Sequence, residues 1–522
     1  MNAAKPVNPW IMVIPAVIAV FIYVLDSTIA NVALPHMAGT FSVTRDESLW
    51  ILTSYLISSS IMVPMVSWFS KFFGRKNFFM LSILVFTLSS MLCGMAKNME
   101  FMIFARVLQG AGGGGILPVT QSVMMENFQG EQRPKAMAVF GMATIMAPII
   151  GPVLGGWITD NWTWQWIFYI NVVPGCLAIF LAKQLLFDPP YAQKQKDLKL
   201  DIKGFCFLAL WLITFQVVLD KGNQVDWFNA PWIRWTSVVS VIAATLFFRS
   251  QIGKKDSLVD LSVFKDRNFA AGTLIQVIIQ AVLYASIVLL PQFLQGLMGY
   301  TAYLSGLTLM PRGIGSFIAM TLCGRLAAKY DGRIMTAIGL TLVGTAGMIL
   351  GNLNLQIANL NIIIPNFIMG FGMGFAMVPL ISLTVQTLKN EQLTNASGLN
   401  NLMKSIGSAV GTSVVATMLT RFAQMHQYML VGNLSDLNTV FVERVQAMTA
   451  AFSQYTAPVV ANYMAKLMLY KQLVQQSTVM AFMDSLRIFG LLCIVITPLL
   501  LLMNPPIRNG NDSDGSDVAM MH

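Results

Sequence analysis

Long runs of apolar residues, each about the length needed to cross a bilayer, dominate the chain. A transmembrane helix needs about 20 such residues, because each residue adds about 1.5 Å along the helix axis. Charged residues, proline and glycine mark the ends of the runs. The pattern predicts fourteen membrane-spanning helices, near residues 11–33, 48–70, 77–96, 101–124, 136–158, 166–187, 203–220, 231–248, 269–295, 302–324, 334–352, 361–387, 398–420 and 480–502.

Basic residues are distributed unequally between the two sets of predicted loops. One set contains nineteen Lys and Arg residues between Lys71 and Lys389, whereas the opposite short loops contain Arg45, Lys97 and Lys221, with Arg234 at an edge. Short cytoplasmic loops of membrane proteins are enriched in Lys and Arg. The first set is therefore predicted to be cytoplasmic. An even number of spans places both termini on that side as well.

Composition agrees with a membrane protein. Apolar residues make up 56% of the 522 residues and charged residues 11%, with a mean hydropathy of +0.65, whereas a soluble domain carries about 25% charged residues. The net charge of +10 comes largely from short loops, so the lipid bilayer is expected as a partner and nucleic acid is not. Five scattered cysteines without a CxxC pair and three distant histidines predict no metal site, haem site or disulfide framework.

The segment before the last predicted span is unlike the other loops. Residues 421–479 form a long loop on the non-cytoplasmic side. Within it, Arg444–Gln476 contains repeated Ala, Met and Gln but no Gly, a composition that favours a helix. The loop is interpreted as a structured cap, and a docking surface for a periplasmic partner is the alternative.

Few ionisable residues lie inside the predicted spans, where a charge is costly and usually has a function. Asp26 is the only acidic residue well inside a span, and Arg106, Arg312 and Lys404 are the basic ones. The helical rise places Asp26 roughly 22 Å from the cytoplasmic edge and Arg106 roughly 8 Å below the outer edge, at similar depths. The two side chains are expected to meet if their helices are neighbours.

Alternative roles stay open for each of these residues. Asp26 and Arg106 are predicted to couple transport to a proton, because a buried carboxylate resists ionisation and a nearby Arg favours it. The alternative is a permanent ion pair that joins two helices. No intramembrane acidic residue in the second half of the chain is available to Arg312. It therefore either has a structural role facing a water-filled cavity or contacts substrate. Lys404 is expected to extend its ammonium group to the interface.

Glycine and proline cluster in the fourth and fifth predicted spans. Small residues let helices approach closely, and Pro introduces kinks. A close helix contact whose geometry matters for opening and closing is predicted, alongside ordinary tight packing. The residues of this cluster are Gly110, Gly112, Gly113, Gly114, Gly115, Pro148, Gly151, Pro152, Gly155 and Gly156.

Six short motifs are more specific than these patterns, and the resemblance that they carry runs from about residue 11 to 420. They are LDSTIANVALP (Leu25–Pro35), ARVLQGAGGG (Ala105–Gly114), GPVLGG (Gly151–Gly156), WQWIFYINVVPG (Trp164–Gly175), LDKG (Leu219–Gly222) and VDLSVFKDRNF (Val259–Phe269). Together they resemble the major facilitator superfamily, and within it the fourteen-helix drug:proton antiporters of the EmrB type.

The resemblance implies the major facilitator fold, an all-α arrangement of two six-helix bundles. The bundles would comprise residues 1–187 and 269–502, with two inserted helices and linkers at 188–268 and a cytoplasmic tail at 503–522. The family's span-four Arg, implicated in proton transfer, falls on Arg106, and the GPVLGG motif is associated with export.

Further site residues fall into two groups. Asn31, Gln109, Gln121 and Arg312 are assigned to the substrate cavity or to structure. Gly74, Arg75 and Lys76 match the cytoplasmic loop motif of the superfamily. That motif usually carries an Asp that helps to hold one state, and here its position is Lys71, as in EmrB-type proteins.

The predicted function is export of hydrophobic drugs or toxic compounds in exchange for protons, by alternating access. The proton gradient supplies the energy, without a cofactor. EmrB-type exporters work in the inner membrane with a periplasmic adaptor and an outer-membrane channel, which are the implied partners. The alternatives are a dedicated exporter of one metabolite, lipid or siderophore, and a non-transporting membrane sensor. A membrane enzyme is disfavoured, because the sequence shows no P-loop or nucleophile–base constellation.

Overall fold

The computed structural model describes residues 9–128, 132–188, 201–252, 258–326 and 330–504. These residues form α-helices, with short 3₁₀ and π segments and no β-strand. Within them, 14 helical segments are long and apolar enough to cross a membrane. The expected all-α, fourteen-span fold is therefore confirmed.

The first bundle contains six spans, two of which are divided into shorter helices. The fourth span breaks at Gly114 and Gly115, and the sixth breaks before Val172. Both breaks were absent from the predicted continuous spans 101–124 and 166–187. The helices are α1 (Pro9–Met12), α2 (Ile14–Phe41), α3 (Arg45–Ser48), α4 (Trp50–Phe73), α5 (Arg75–Gly94), α6 (Met99–Gly113), α7 (Ile116–Asn127), α8 (Gln132–Asn161), α9 (Trp166–Tyr169) and α10 (Val172–Leu185).

An inserted helix pair and a second bundle follow. The pair consists of α11 (Ile202–Gly222) and α12 (Pro231–Gln251). The second bundle contains α13 (Arg267–Gln292), α14 (Ala302–Leu326), α15 (Gly332–Leu350), α16 (Leu360–Val385), α17 (Leu393–Val431), α18 (Thr439–Phe452) and α19 (Pro458–Val495). Of the predicted tail 503–522, all but the first two residues lie outside the described part of the chain.

The first and last described residues lie on the same side of the bundles, as an even number of crossings requires. Trp10 packs on Phe128 at the end of α7, with ring centroids 4.6 Å apart. The backbone N–H of Asn504 donates to Oδ1 of Asn268 at the start of α13, over 2.7 Å. We call this side the terminal face and the other side the opposite face.

The two bundles are sealed together towards the terminal face by hydrophobic clusters that contain residues of both. From the first bundle, one cluster contains Phe128, Ala136, Met137 and Phe140, and from the second Met320, Cys323, Phe375, Val385 and Leu393. Another joins Val63 and Trp68 of α4 to Phe269 of α13 and Leu399 of α17. Towards the opposite face, the buried clusters among the described residues each belong to a single bundle. The space between the bundles is therefore closed towards the terminal face.

The inserted pair bridges the two bundles instead of standing apart from them. The Thr53 hydroxyl of α4 donates to the Asp220 carboxylate of α11 over 3.0 Å. One residue earlier, the carbonyl of Leu219 accepts a hydrogen bond from the Ser413 hydroxyl of α17 over 2.9 Å. The end of α11, which carries the LDKG motif, thus contacts one helix from each bundle.

The long loop predicted at 421–479 is mostly helical. We call the outer parts of α17 and α19, together with α18, the helical extension. Helix α17 continues to Val431, and α19 already begins at Pro458, so both extend well beyond the predicted spans 398–420 and 480–502. The single helix predicted for Arg444–Gln476 is wrong, because residues 453–457 separate α18 from α19. Phe441 and Val445 of α18 pack against Ala465 and Leu469 of α19, which holds the extension together.

Candidate functional site

The structure brings Asp26 of α2 into direct contact with Arg106 of α6. Nη1 of Arg106 donates to Oδ2 of Asp26 over 2.7 Å. Both side chains are fully buried. Asp26 and Arg106 therefore lie at similar depths, as the helical rise predicts, and on neighbouring helices of the first bundle.

Two amide side chains complete the surroundings of the Asp26 carboxylate. Gln109 accepts a second hydrogen bond from Nη1 of Arg106 over 2.7 Å, and its own Nε2 donates to Oδ1 of Asp26 over 3.0 Å. Nδ2 of Asn171 donates to the same Oδ1 over 2.7 Å and to the Ser90 hydroxyl over 3.1 Å. The network therefore joins α2, α5 and α6 to the residue that precedes α10.

Aromatic rings and unpaired nitrogens surround the Arg106 guanidinium. Its central carbon lies 4.7 Å from the ring centroid of Phe168 and 5.2 Å from that of Tyr55, distances typical of cation–π contacts. Nε and Nη2 are buried without a hydrogen-bond partner. Arg106 thus keeps spare donors beside a carboxylate that already accepts three hydrogen bonds.

Glycines allow α6 to lie directly on the backbone of α4, which places Arg106 at this depth. A Cβ added at Gly110 would lie 2.4 Å from the Tyr55 carbonyl oxygen, and one at Gly114 would lie 2.7 Å from that of Ser59. Real side-chain carbons do not approach so closely. The predicted close helix contact is therefore present between spans two and four.

The GPVLGG motif of the fifth span packs against α2. A Cβ at Gly151 would lie 2.4 Å from the Thr28 hydroxyl, and one at Gly155 would lie 3.1 Å from the Ile29 carbonyl oxygen. Gly156 differs, because nothing lies within 4 Å of its Cβ position. Pro148 and Pro152 both lie inside α8, which continues through them as one helix.

Gln121 lies in the seam between the two bundles. Its Oε1 accepts a hydrogen bond from Nδ2 of Asn401 in α17 over 2.9 Å, and both side chains are buried. Beside them, a Cβ added at Gly398 would lie 3.0 Å from the Val63 carbonyl oxygen. Asn31, the other amide assigned to the cavity or to structure, is exposed on α2.

The loop motif after the second span forms a buried ion pair. Gly74 has a φ of 84°, a conformation that favours glycine, and it connects α4 to α5. Nη1 of Arg75 then donates to Oε2 of Glu126 in α7 over 2.6 Å, with both side chains almost fully buried. Lys71, at the position where the superfamily usually has Asp, is exposed.

Lys76 fixes the segment that follows the sixth span. Its backbone N–H donates to Oδ1 of Asp188 over 2.8 Å, and its Nζ donates to the Lys183 carbonyl over 2.6 Å. Burial raises the pKa of the Asp188 carboxyl, and the Lys76 N–H and the charges of Arg75 and Lys76 oppose that rise. The motif therefore organises the terminal face of the first bundle.

The two remaining basic residues lie outside the Asp26 network. Arg312 of α14 is 7% exposed and donates from Nη2 to the Ser286 hydroxyl of α13 over 2.9 Å. Lys404 of α17 is half-buried, one turn beyond Asn400 and Asn401. Among the described residues, neither cation has an acidic partner in an ion pair.

Asn171 and Ser90 are members of the network that the sequence reasoning missed. Asn171 lies within the motif Trp164–Gly175, one of the motifs that carry the resemblance. An Asn in an otherwise apolar span was the available signal. Ser90 had no such signal, because hydroxyl groups in spans often bond to the backbone of their own helix.

The chain belongs to the major facilitator superfamily. The profile described as Major Facilitator Superfamily matches residues 16–412, which is more than half of the chain. The fold and the fourteen spans agree with this assignment. The protein is therefore a multi-pass membrane protein of a transporter family.

Two curated relatives from Escherichia coli (strain K12) match almost the whole chain. Probable multidrug resistance protein EmrY is 32% identical over 499 residues, covering 95% of this chain and 96% of EmrY. Multidrug export protein EmrB is 31% identical over 516 residues, covering 97% of each chain. The crystal structure of the human organic anion transporter MFSD10 superposes with a TM-score of 0.62 at 11% identity, covering 95% of this chain and 100% of that chain, which supports the fold.

Proposed function

We propose that this protein exports small hydrophobic compounds in exchange for protons, by alternating access of a cavity between its two bundles. The observation that carries the proposal is the buried carboxylate of Asp26, held by Arg106, Gln109 and Asn171. An ionisable group this deep in a span is costly, so a role in moving charge accounts for its presence. The names of EmrY and EmrB support export of drugs as the activity.

The network suits a carboxylate that alternates between two protonation states. Ionised Asp26 accepts three hydrogen bonds and neutralises Arg106. A proton on Asp26 removes the charge attraction, and the unpaired Nε and Nη2 of Arg106 can then take other partners. Since α2 and α6 carry the two charges, protonation changes how strongly these helices are held together. That change is the proposed link between the proton and the movement of the bundles.

The proposed orientation places the terminal face in the cytoplasm. The many basic residues in the loops of that face support it. The sealed seam then corresponds to a state closed towards the cytoplasm, in which substrate has been released or is about to be released outward. The inner membrane of a bacterium with two membranes is the proposed location.

A periplasmic adaptor and an outer-membrane channel are proposed as partners. The helical extension formed by the outer parts of α17 and α19 together with α18 supports this, because it stands outside the predicted bilayer. Large exposed side chains on it offer apolar contact area to a protein partner. They include Tyr428, Leu437, Tyr455, Val459 and Tyr463.

Proton release on substrate binding tests the coupling. We expect purified wild-type protein to release protons when a hydrophobic dye such as Hoechst 33342 binds, and Asp26→Asn to bind the dye without release. Asp160→Asn, which changes an exposed acidic residue at the end of α8, is the matched control and should behave as wild type. Tight binding without proton release in the wild type would remove Asp26 from the mechanism and favour a facilitator or a sensor.

Co-purification tests the partnership separately. Replacing Tyr428, Tyr455 and Tyr463 by Ser should reduce recovery of a co-expressed adaptor protein, while dye-driven proton release from the purified transporter stays unchanged. Replacing Trp235, an exposed residue near the start of α12 and away from the extension, by Ser is the control. Equal recovery of the adaptor with both variants would contradict the extension as its docking surface.

A further inference from the structure

The opposite-face end of the inserted helix pair is bound to α17 by several polar contacts. The Ser413 hydroxyl donates to a backbone carbonyl near the end of α11 over 2.9 Å. Just beyond α11, Nδ2 of Asn223 donates to the Thr420 hydroxyl over 3.2 Å. Asp226, in the turn before α12, forms an ion pair with Arg421. The contacts on α17 therefore extend over about two helical turns.

The terminal-face end of the pair is bound to the same helix. In the segment after α12, the backbone N–H of Asp260 donates to Oδ1 of Asn395 over 3.1 Å. Nδ2 of Asn395 donates back to the Asp260 carbonyl over 2.7 Å. Asn395 and Arg421 lie about 39 Å apart along α17, because each helical residue adds about 1.5 Å. Two attachments so far apart fix a direction, so the pair cannot pivot on α17 without breaking one of them.

The two inserted helices and the segment after α12 form one body. Nε2 of Gln251, at the end of α12, donates to Asp201 at the start of α11 over 3.1 Å. Oε1 of the same side chain accepts a hydrogen bond from the backbone N–H of Val259 over 3.3 Å. Along the helices, the ring of Trp211 lies 5.3 Å from that of Phe248. The attachments at the two ends therefore act on the pair as a whole.

The first bundle holds the same pair in a different way. Among the described residues, the polar contact of the opposite-face end with α4 is the hydrogen bond from the Thr53 hydroxyl to Asp220, over 3.0 Å. Nearer the terminal face, Leu208 and Leu212 of α11 share a hydrophobic cluster with residues of α4 such as Val63. Apolar contacts are not directional, so α4 can move along them more freely than along hydrogen bonds.

Helix α11 lies over the seam between α4 and α17. A narrow cleft at this place is lined by all three helices, through Ile57, Ser60, Leu212, Gln216, Leu402 and Ser405. Because α4 and α17 belong to different bundles, rocking of the bundles changes their relative position. A rigid pair that contacts both helices has to stay with one of them and release the other.

We propose that α11 and α12 form a strap that moves with the second bundle, and that the hydrogen bond between Thr53 and Asp220 is the contact that the strap releases when the bundles rock. The two distant attachments to α17 carry this assignment. The LDKG motif, which contains Asp220, then marks the releasable end of the strap. The inference rests on the proposed alternating access, but it does not depend on proton coupling through Asp26.

Reversible crosslinks test which bundle the strap follows. Two cysteine pairs are introduced in a background in which the five free cysteines are replaced. Thr53→Cys with Asp220→Cys joins the strap to α4, and Asn223→Cys with Thr420→Cys joins it to α17. The side chains of both pairs are in hydrogen-bond contact, so a short bifunctional methanethiosulfonate can connect them.

Dye efflux from proteoliposomes is measured before crosslinking, after crosslinking and after reduction. We expect the crosslink to α4 to abolish efflux and reduction to restore it, whereas the crosslink to α17 should leave efflux unchanged. The reagent should also have no effect on Asp220→Cys alone, which is the control. Loss of efflux on crosslinking to α17, or efflux that survives complete crosslinking to α4, would overturn the proposal.

Distances between spin labels decide if the reduced Thr53→Cys/Asp220→Cys protein does not transport. Labels are attached in pairs to cysteines that replace Leu56 of α4, Val241 of α12 and Val414 of α17, all of which are exposed. Dye binding should change the distances from α4 to α12 and from α4 to α17, but not the distance from α12 to α17. A changed distance from α12 to α17 would overturn the strap while leaving alternating access in place. No change between α4 and α17 would contradict alternating access and the strap with it.

Discussion

Asn401 and Gln121 are hydrogen-bonded across the seam between the two bundles, although 280 residues separate them in the chain. The Nδ2 of Asn401 lies 2.9 Å from Oε1 of Gln121. Their helices, α17 and α7, come from different bundles, so the bond exists only while the bundles are closed towards the terminal face. It is therefore a marker of the closed state as well as a contribution to it.

Removing this hydrogen bond should favour opening at the terminal face. Asn401→Leu loses a neutral bond worth about 1 kcal/mol, which corresponds to a shift of about fivefold in the ratio of closed to open molecules. Distances between spin labels on α7 and α17 at the terminal face would measure the shift. Ser122→Ala is the control, because the Ser122 hydroxyl bonds to the Pro118 carbonyl within its own helix. An unchanged distance distribution in Asn401→Leu would show that the bond does not influence the seam.

Gly110 and Gly156 should differ sharply in their tolerance of alanine. Gly110→Ala forces a methyl group against the Tyr55 carbonyl and should destabilise the protein by about 1–3 kcal/mol, with loss of transport. Gly156→Ala meets open space, so its thermal stability and its transport should stay close to those of the wild type. Melting curves and dye efflux from proteoliposomes would check both variants. Similar losses in the two variants would argue against close helix contact as the reason for glycine at position 110.

The Arg75–Glu126 ion pair should contribute to the stability of the protein because both side chains are buried. Arg75→Met leaves the Glu126 carboxylate without its arginine and should cost about 3–5 kcal/mol of stability. The exchange of charges in Arg75→Glu with Glu126→Arg should recover part of that loss. Lys71→Gln, at an exposed position of the same motif, should change stability by less than about 0.5 kcal/mol. The Tm values of these variants would measure the loss and its recovery. If the protein with exchanged charges were no more stable than Arg75→Met, a specific ion pair would be contradicted.

Asn171 should contribute to the stability of the Asp26 network. Asn171→Leu removes one hydrogen bond to a carboxylate, a kind of bond that contributes about 1.5–3 kcal/mol. Asn161→Leu is the matched control, because Asn161 is exposed and its amide bonds to the Trp157 carbonyl of its own helix. Thermal unfolding of the two variants gives the comparison. Equal stability would mean that Asp26 finds another donor when Asn171 is absent.

The proposed orientation can be checked with single cysteines. In a background in which the five free cysteines are replaced, Tyr463→Cys on the helical extension should react with a membrane-impermeant maleimide in intact cells. Lys71→Cys at the terminal face should react only after the membrane is permeabilised. Labelling of Lys71→Cys in intact cells would place the terminal face outside.

Much of the fold was predictable because a helix needs about 20 consecutive apolar residues to cross a lipid bilayer. The fourteen spans follow from runs of apolar residues. Equal depth made a contact between Asp26 and Arg106 possible, and the structure shows that their helices are neighbours. The break at Gly114 and Gly115 was not predictable from length, since a broken span is as apolar as a continuous one. The extensions of α17 and α19 were missed for the opposite reason, because helices outside the membrane need no apolar run.

The site was less predictable than the fold. A charge in a span is conspicuous in a sequence, so Asp26, Arg106 and Arg312 could be found. Their neutral partners Asn171 and Ser286 could be assigned a charged partner only once separate helices were seen to pack together. Asn401, which meets Gln121 from the other bundle, belongs to the same class.

Helix α17 is one unbroken rod from the seam to the tip of the extension. Its 39 residues correspond to a length of about 58 Å, so a tilt of about 10° about one end would displace the other end by about 10 Å. Leu393 lies at the sealed terminal face and Val431 lies at the far end, beyond the predicted bilayer. A protein bound to the extension would therefore be pushed mechanically each time the bundles rock, and would sense the stage of the transport cycle without touching the cavity.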